Sequence, residues 1–476
     1  MKTKVLNFLK ASALILACIS TGIVNAQTRT NESTGTQTEV ANLRPYDKTG
    51  INIFEDPKDS TSTFDKLKFK FGAGFTQQFQ NLKHENPSAL KNNVGSFANN
   101  VSTAGNKLKI ITPGFQTSQA NLYMDVQLAD GIRLNITSYL STKHHNETWV
   151  KGGYIQFDKL PFKGQVWSDI MKITTIIVGH FEVDYGDAHY RRSDAGHTLY
   201  NPFMENNIMD EFATEIGAQV YLKSNGLFGM FGITNGMIKG NIDSLTAAAN
   251  PDENYHKSPS ILLKAGFDKK LSVDVRLRLS GSYYGNQSDG GGTLFGGDRS
   301  GSNYQYVMEL NSANPSSATG AGTPLAFSGR FNPGFGKVIN TFMFNGFLKV
   351  AGFELFGTYE TAKGRTAKET STRPANQFAI DGVYRIGKSE NVFLGMRYNT
   401  VSARLADNAA GTGAGAITYT GNVNINRFAL AGGWFLTKNV LMKGEYVIQH
   451  YNDFPTADSR SGGKFNGYVI EAVVGF

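Results

Sequence analysis

The stretch Gly382-Val-Tyr-Arg-Ile-Gly387-Lys388-Ser389 has the spacing of a phosphate-cradling loop, in which backbone N–H groups and a lysine hold a nucleotide. That chemistry needs a helix directly after the loop, with its N-terminus aimed at the phosphates. Here Val392, Leu394, Met396 and Tyr398 follow at alternate positions. This is strand spacing, so the segment reads as a hairpin turn. No Gly-x-Ser-x-Gly elbow and no His-Glu-x-x-His pair occurs. The adjacent His144 and His145 read as a solvated pair in a short loop, and the other six histidines are scattered. The single cysteine, Cys18, lies in an N-terminal apolar run. Once that run is removed, thiol nucleophiles, disulfides and thiolate metal sites are excluded. These residues imply no catalytic group, no cofactor and no metal. The densest charge pattern is Tyr185-Gly-Asp187-Ala-His189-Tyr-Arg191-Arg192-Ser-Asp194-Ala-Gly-His197. Its two adjacent arginines either offer positive charge to an anion or pair with Asp187 and Asp194.

The elements that position these groups begin with a targeting segment. Lys2, Lys4 and Lys10 lead into the apolar run Ala11 to Val24, which ends in Val24-Asn25-Ala26. This is the pattern of a secretory signal peptide over 1–26, cleaved after Ala26. Lipoprotein processing at Cys18 is the rival, weakened by the bulk of Leu16. The run is too short for a membrane-spanning helix. Loss of three lysines takes the net charge from +8 to +5, with no basic cluster suited to nucleic acid. Residues 27–65, rich in Thr, Asn, Asp and Lys, read as a flexible periplasmic tail.

From Leu67 the chain alternates. Leu67, Phe69, Phe71 and Phe75 are separated by Lys68 and Lys70, and Leu122 to Leu128, Ile132 to Ile136, Ile216 to Leu222 and Val273 to Leu279 repeat the pattern. Period two marks strands with one apolar face. Connectors are alternately short and long. The short ones are Asp130-Gly131, Asn225-Gly226, Asp268 to Lys270, Ala351-Gly352, Ile386 to Asn391 and Leu436 to Asn439. The long ones are rich in Gly, Ser and Asn, the longest being 285–339. This layout predicts an all-β fold over 66–476, a transmembrane antiparallel up-and-down barrel with short periplasmic turns and long extracellular loops. Lipid cannot satisfy backbone polar groups, so a spanning sheet must close. Seventeen segments alternate, but both ends of such a chain lie in the periplasm. Parity therefore assigns Tyr304 to Leu310 to a loop and leaves sixteen strands. Leu122, Val126, Ile216, Val220 and Leu277 are expected to meet lipid, and Arg133, Gln219 and Arg278 to meet water.

The last strand places Tyr468, Ile470, Ala472, Val474 and Phe476 on one face. With Trp434 to Val440, Gly444 to Val447, Val178 to Glu182 and Asn201-Pro202-Phe203, it resembles the phosphate-selective porin O and P-like family. The resemblance implies a homotrimeric pore and makes Phe476 a signal for the barrel assembly machinery. It also implies that the loop carrying His189, Arg191, Arg192 and His197 folds inward as a constriction. Lys68, Lys70, Arg133, Lys264, Arg276, Arg278, Lys349, Arg385, Arg397 and Lys443 would be basic residues lining the lumen, unless they serve as paired struts of the wall. The expected function is passive diffusion of small hydrophilic or anionic solutes across the outer-membrane lipid, with a weak anion preference extending to phosphate. The alternative is an adhesin or complex subunit whose lumen is occluded, with loop 285–339 as an outer lid or docking surface. A barrel enzyme of His–Ser type lacks a recognisable site.

Overall fold

The alternation becomes one closed antiparallel sheet in the computed structural model. The structure describes residues 40–58, 64–87, 108–116, 119–141, 148–193, 197–236, 258–287, 292–298, 300–310, 328–407 and 417–476. The signal peptide, His144-His145 and Asp194 fall outside these residues. The strands are β1 (Lys68–Glu85), β2 (Gln119–Ala129), β3 (Ile132–Ser141), β4 (Thr148–Phe157), β5 (Thr174–Glu182), β6 (Thr214–Ser224), β7 (Leu227–Thr234) and β8 (Ser260–Lys270). They continue as β9 (Val275–Asn286), β10 (Val338–Val350), β11 (Phe353–Arg365), β12 (Arg373–Ile386), β13 (Val392–Ala403), β14 (Val423–Phe435), β15 (Val440–Asn452) and β16 (Lys464–Gly475).

Each strand pairs with its sequence neighbours, and β16 returns to β1 with Gly74 opposite Gly475 and Glu85 opposite Lys464. Gly114 and Phe115 pair with Gln80 and Phe79, extending the β1–β2 ladder rather than adding a strand. The barrel therefore has sixteen strands. Tyr304 to Leu310 lies in a loop, and its β-pairing among the described residues is the isolated Leu108–Leu310 bridge. The nucleotide-loop spacing at 382–389 spans β12 and its turn into β13, with Ile386 paired to Val392. Asn225 and Gly226 both take positive φ, 53° and 85°. A two-residue hairpin demands this of its central residues, and Asn-Gly supplies it at least cost.

The expected facing holds in part. Leu122 is exposed, Ile216, Val220 and Leu277 are half-buried, and Val126 is buried; Leu279, Phe344, Leu394 and Leu430 are exposed on the outer wall. Arg133, Gln219 and Arg278 face inward but are buried instead of meeting water, because what fills the lumen covers them. Three expectations need correction. The chain has one α-helix among its described residues, α1 (Gln165–Ile173), in the connection from β4 to β5; it is too short to stand out against strand alternation. The turn placed at Asp268 to Lys270 lies at 271–274, because β8 and β9 stay paired out to Lys270 opposite Arg276. Residues 40–58, assigned to a flexible tail, bond to the inner wall at both ends and in the middle, as described next.

Candidate functional site

The inner wall is lined by charge, and charge enclosed in a barrel is costly unless paired. Nine of the ten basic residues expected in the lumen have a carboxylate partner. Lys264 lies 2.6 Å from Asp184 and 2.8 Å from Asp187, and Arg278 binds Asp187 at 2.8 Å and Glu55 at 2.6 Å. Arg133 binds Asp125 at 2.9 Å and also Asp56; Arg276 binds Asp268 and Arg385 binds Glu354. Arg397 pairs with Asp381, Lys443 with Glu471, Lys349 with Glu390 and Lys68 with Asp65. Lys70 instead sits 5.4 Å from the Tyr46 ring centroid. The wall cations thus act mainly as anchors for what fills the barrel.

One filler is the segment 40–58, here called the strap. Its Ala41 N–H donates to Gln127 Oε1 and Asn42 Nδ2 to Asp158, both near the short-turn end of β2 and β4. It then crosses to the far side, where Lys48 N–H donates to Lys438 O and Lys48 Nζ to Asn391 Oδ1, in two other short turns. Asn52 Nδ2 donates to Glu354 on β11, Glu55 accepts from Arg278 on β9, and Asp56 accepts from Arg133 on β3. Lys58 returns to Asp158 and Thr174. The strap makes a circuit of the short-turn end. Sequence reasoning missed it because its composition is polar; its carboxylates find their partners only once the barrel closes.

The second filler is made of residues 183–193 and 197–213. It enters the lumen, as the resemblance implied: Met204 N–H donates to Glu445, Ile208 N–H to Asn399 and Met209 N–H to Gln377, all on the inner wall. Loop 285–339, expected outside as a lid or docking surface, also enters in its described parts. Tyr304 donates to Glu445, Gln80 Nε2 donates to Gln305 O, and Arg330 binds Glu205. Phe203, Met204, Ile208 and Tyr304 share a core with Val401, Val423, Ile425, Val447 and Val469 of β13–β16. The inner face of these strands mixes these apolar residues with buried polar ones such as Arg397, Asn399, Lys443, Glu445 and Glu471. Arg427, not anticipated as a lumen residue, is fully buried there and donates to Asn206 O and Gln449.

The expected constriction residues separate. Arg191 donates to Asn52 of the strap at 2.8 Å and lies 4.0 Å from Glu354, with its guanidinium 4.9 Å from the Phe356 ring centroid. Arg192 binds Asp210 at 2.7 Å. Neither pairs with Asp187, which is held by Lys264 and Arg278. Both arginines border only a small void of about 20 Å³. His189 borders that void too and, with His197, lines a larger cavity of about 240 Å³. His189 Nε2 lies 2.7 Å from Asp184, and the His197 ring stacks between Tyr123 and Tyr200.

That larger cavity follows the wall opposite the packed half. It is lined by β4 from Lys151 to Gln156, by β5 from Thr175 to Glu182, by β6 from Thr214 to Lys223, and by Arg44, Tyr46 and Phe54 of the strap. It therefore tracks β5 and β6 from the short-turn end to the long-loop end. A further recess of about 380 Å³ opens at the short-turn end, lined by Lys48, Lys270, Arg276, Lys349 and Arg385 with Asp274 and Glu390. Lys48, on the strap, is held below the usual lysine range, first by burial and then by the neighbouring Arg385 and Lys349.

No protein-family model matches the chain, and no curated protein matches it by sequence. Solved structures of similar fold include an anion-selective porin of Comamonas acidovorans, 8% identical with TM-score 0.48, covering 86% of this chain and 100% of that one. The outer membrane protein OmpT of Vibrio cholerae, in its trimer form, is 11% identical with TM-score 0.47 over 87% of this chain and 100% of that one. OprB of Pseudomonas putida is 9% identical with TM-score 0.47 over 86% and 94%. At such identities and TM-scores the likeness carries no conclusion over to this chain.

Proposed function

We propose that the protein is an outer-membrane channel for passive diffusion of small hydrophilic solutes. In this reading it is exported by its signal peptide and seated with the short turns in the periplasm. The observation that carries this is the cavity along β4–β6, which follows the wall between the two ends while the opposite half of the lumen is packed. A sixteen-stranded barrel has room for an aqueous channel, and here the strap and two long loops reduce it to a wall-side path. Charge selectivity follows as weak. The recess at the short-turn end carries five basic side chains. Its Asp274 and Glu390, with the paired Glu354 and Asp268, offset four of them. A slight anion preference, phosphate included, therefore belongs to that mouth and not to Arg192, which is paired with Asp210, or Arg191, which is buried against Asn52 and Phe356 away from the recess.

The filled half of the lumen favours a second reading, a structural barrel with no open path. Purified protein in a planar bilayer separates the two. Stable unitary conductance with a reversal potential slightly on the anion side is expected from the channel. Absence of steady current at any voltage assigns the occluded barrel.

A further inference from the structure

The wall-side cavity holds side chains that the barrel itself does not satisfy. Asn121 on β2 and Gln219 on β6 are 0% and 2% exposed and both line it. Asn121 donates through Nδ2 to the Tyr123 hydroxyl, yet its Oδ1 has no partner among the described residues. Gln219 accepts from the Tyr221 hydroxyl, yet its Nε2 has none. Arg44 of the strap donates through Nε to Gly50 O and through Nη1 to Tyr190 O, leaving Nη2 unpartnered and buried. Buried polar groups left unsatisfied are costly, and a wall that keeps several at one cavity is suited to a guest that satisfies them.

Three features define that guest. The unpartnered atoms are of both kinds, since Gln219 Nε2 and Arg44 Nη2 donate whereas Asn121 Oδ1 accepts. A hydroxyl is the group that answers both, being donor and acceptor at once. The cavity's own charges are nearly balanced: Arg44, Lys151 and Lys223 face Glu55, Asp56, Glu182 and Asp184. An anion would meet this carboxylate excess and the bare Asn121 oxygen, so the site favours a neutral molecule. Finally, about 240 Å³ falls below the roughly 300–1,000 Å³ of pockets for drug-sized ligands.

We propose that the cavity beside Asn121, Gln219 and Arg44 is a binding site for a small neutral polyhydroxylated solute, of the size of a monosaccharide or a polyol. This deepens the channel reading and rests on it for its physiological sense, although binding itself is testable without conduction.

The probes are sorbitol, D-glucose and inorganic phosphate, with the purified full-length barrel. Calorimetric titration in detergent should show saturable binding of sorbitol or glucose and none of phosphate. Gln219→Leu and Asn121→Leu, which remove one unsatisfied partner each, should weaken binding about three- to tenfold, the span of a single hydrogen bond. Arg44→Met provides a variant outside the barrel wall, and each variant is first required to keep the heat-dependent gel shift of a folded barrel. In bilayers, sorbitol should reduce the current saturably rather than in simple proportion to viscosity. Saturable binding without any conductance would keep the site and overturn the channel. Conductance without polyol binding would keep the channel and overturn the site. Binding of phosphate in preference to both polyols, or binding unchanged in all three variants, would overturn the assignment.

Discussion

The strap gives the sharpest quantitative expectation. Consider the double variant Glu55→Gln, Asp56→Asn, which keeps shape and removes two of the three strap carboxylates, leaving Asp47 on Lys438. Glu55 accepts from Arg278 Nη1 at 3.0 Å and Nη2 at 2.6 Å. A charge-assisted bond contributes about 1.5–3 kcal/mol against about 1 for a neutral one, so neutralising Glu55 costs roughly 1–2 kcal/mol. Asp56, whose side chain is 27% exposed, is screened more, and its exchange costs about 0.5–1 kcal/mol. Arg278 keeps Asp187 and Arg133 keeps Asp125, so the wall stays paired and the loss falls on strap docking. The sum, about 1.5–3 kcal/mol, shifts the seated-to-released equilibrium by about 10- to 150-fold. The assay is tryptic cleavage after Lys48, followed by mass spectrometry on the folded protein. When opening is fast relative to cleavage, the rate tracks the open population and should rise by that factor. Larger conductance substates should appear in the same variant. Unchanged cleavage and unchanged conductance would refute the idea that these carboxylates hold the strap.

The same contact predicts a pH response. Burial pushes the Glu55 carboxyl up, but Arg278 and Lys223 outweigh it and hold it below the usual 4.5. Its contribution to docking is therefore complete above about 4.5 and is lost as pH falls through the depressed value. Conductance should rise on acidification below pH 4 in the wild type, and this rise should be absent in Glu55→Gln. Leu279→Arg, on the lipid face, should cost roughly 2–4 kcal/mol near the midplane, read as reduced resistance of the folded barrel to denaturant. Gly186 has φ +73°, and a methyl group there would overlap Met343 Sδ. Gly186→Ala should thus loosen the inward loop by at least about 1 kcal/mol, seen as new proteolysis within 183–213. Arg192→Ala leaves Asp210 to Arg330 alone. It should loosen the same loop while moving the reversal potential little, and a large loss of anion preference would return Arg192 to the role of filter.

Period-two alternation, with connectors alternately short and long, determined the barrel. A strand carries its facing in its sequence, because residues i and i+2 share a side, and Asn225-Gly226 fixes its turn through local φ. Strand count and the nucleotide-loop mimic at 382–389 were legible for that reason; the inward direction of the loop after β5 was expected only from the family resemblance. What the inward charges do was not legible. Lys264 and Asp184 are 80 residues apart, and Arg278 and Glu55 are separated by 223; such pairs exist only once the sheet has closed and brought distant chain together. The same holds for the strap, whose polar composition matches that of a mobile tail until a ring of buried cations supplies its partners. The unanswered polar atoms of Asn121, Gln219 and Arg44 are the extreme case. Whether a side chain is satisfied depends on every neighbour in three dimensions, and local sequence says nothing of neighbours contributed by other strands, a loop and the strap.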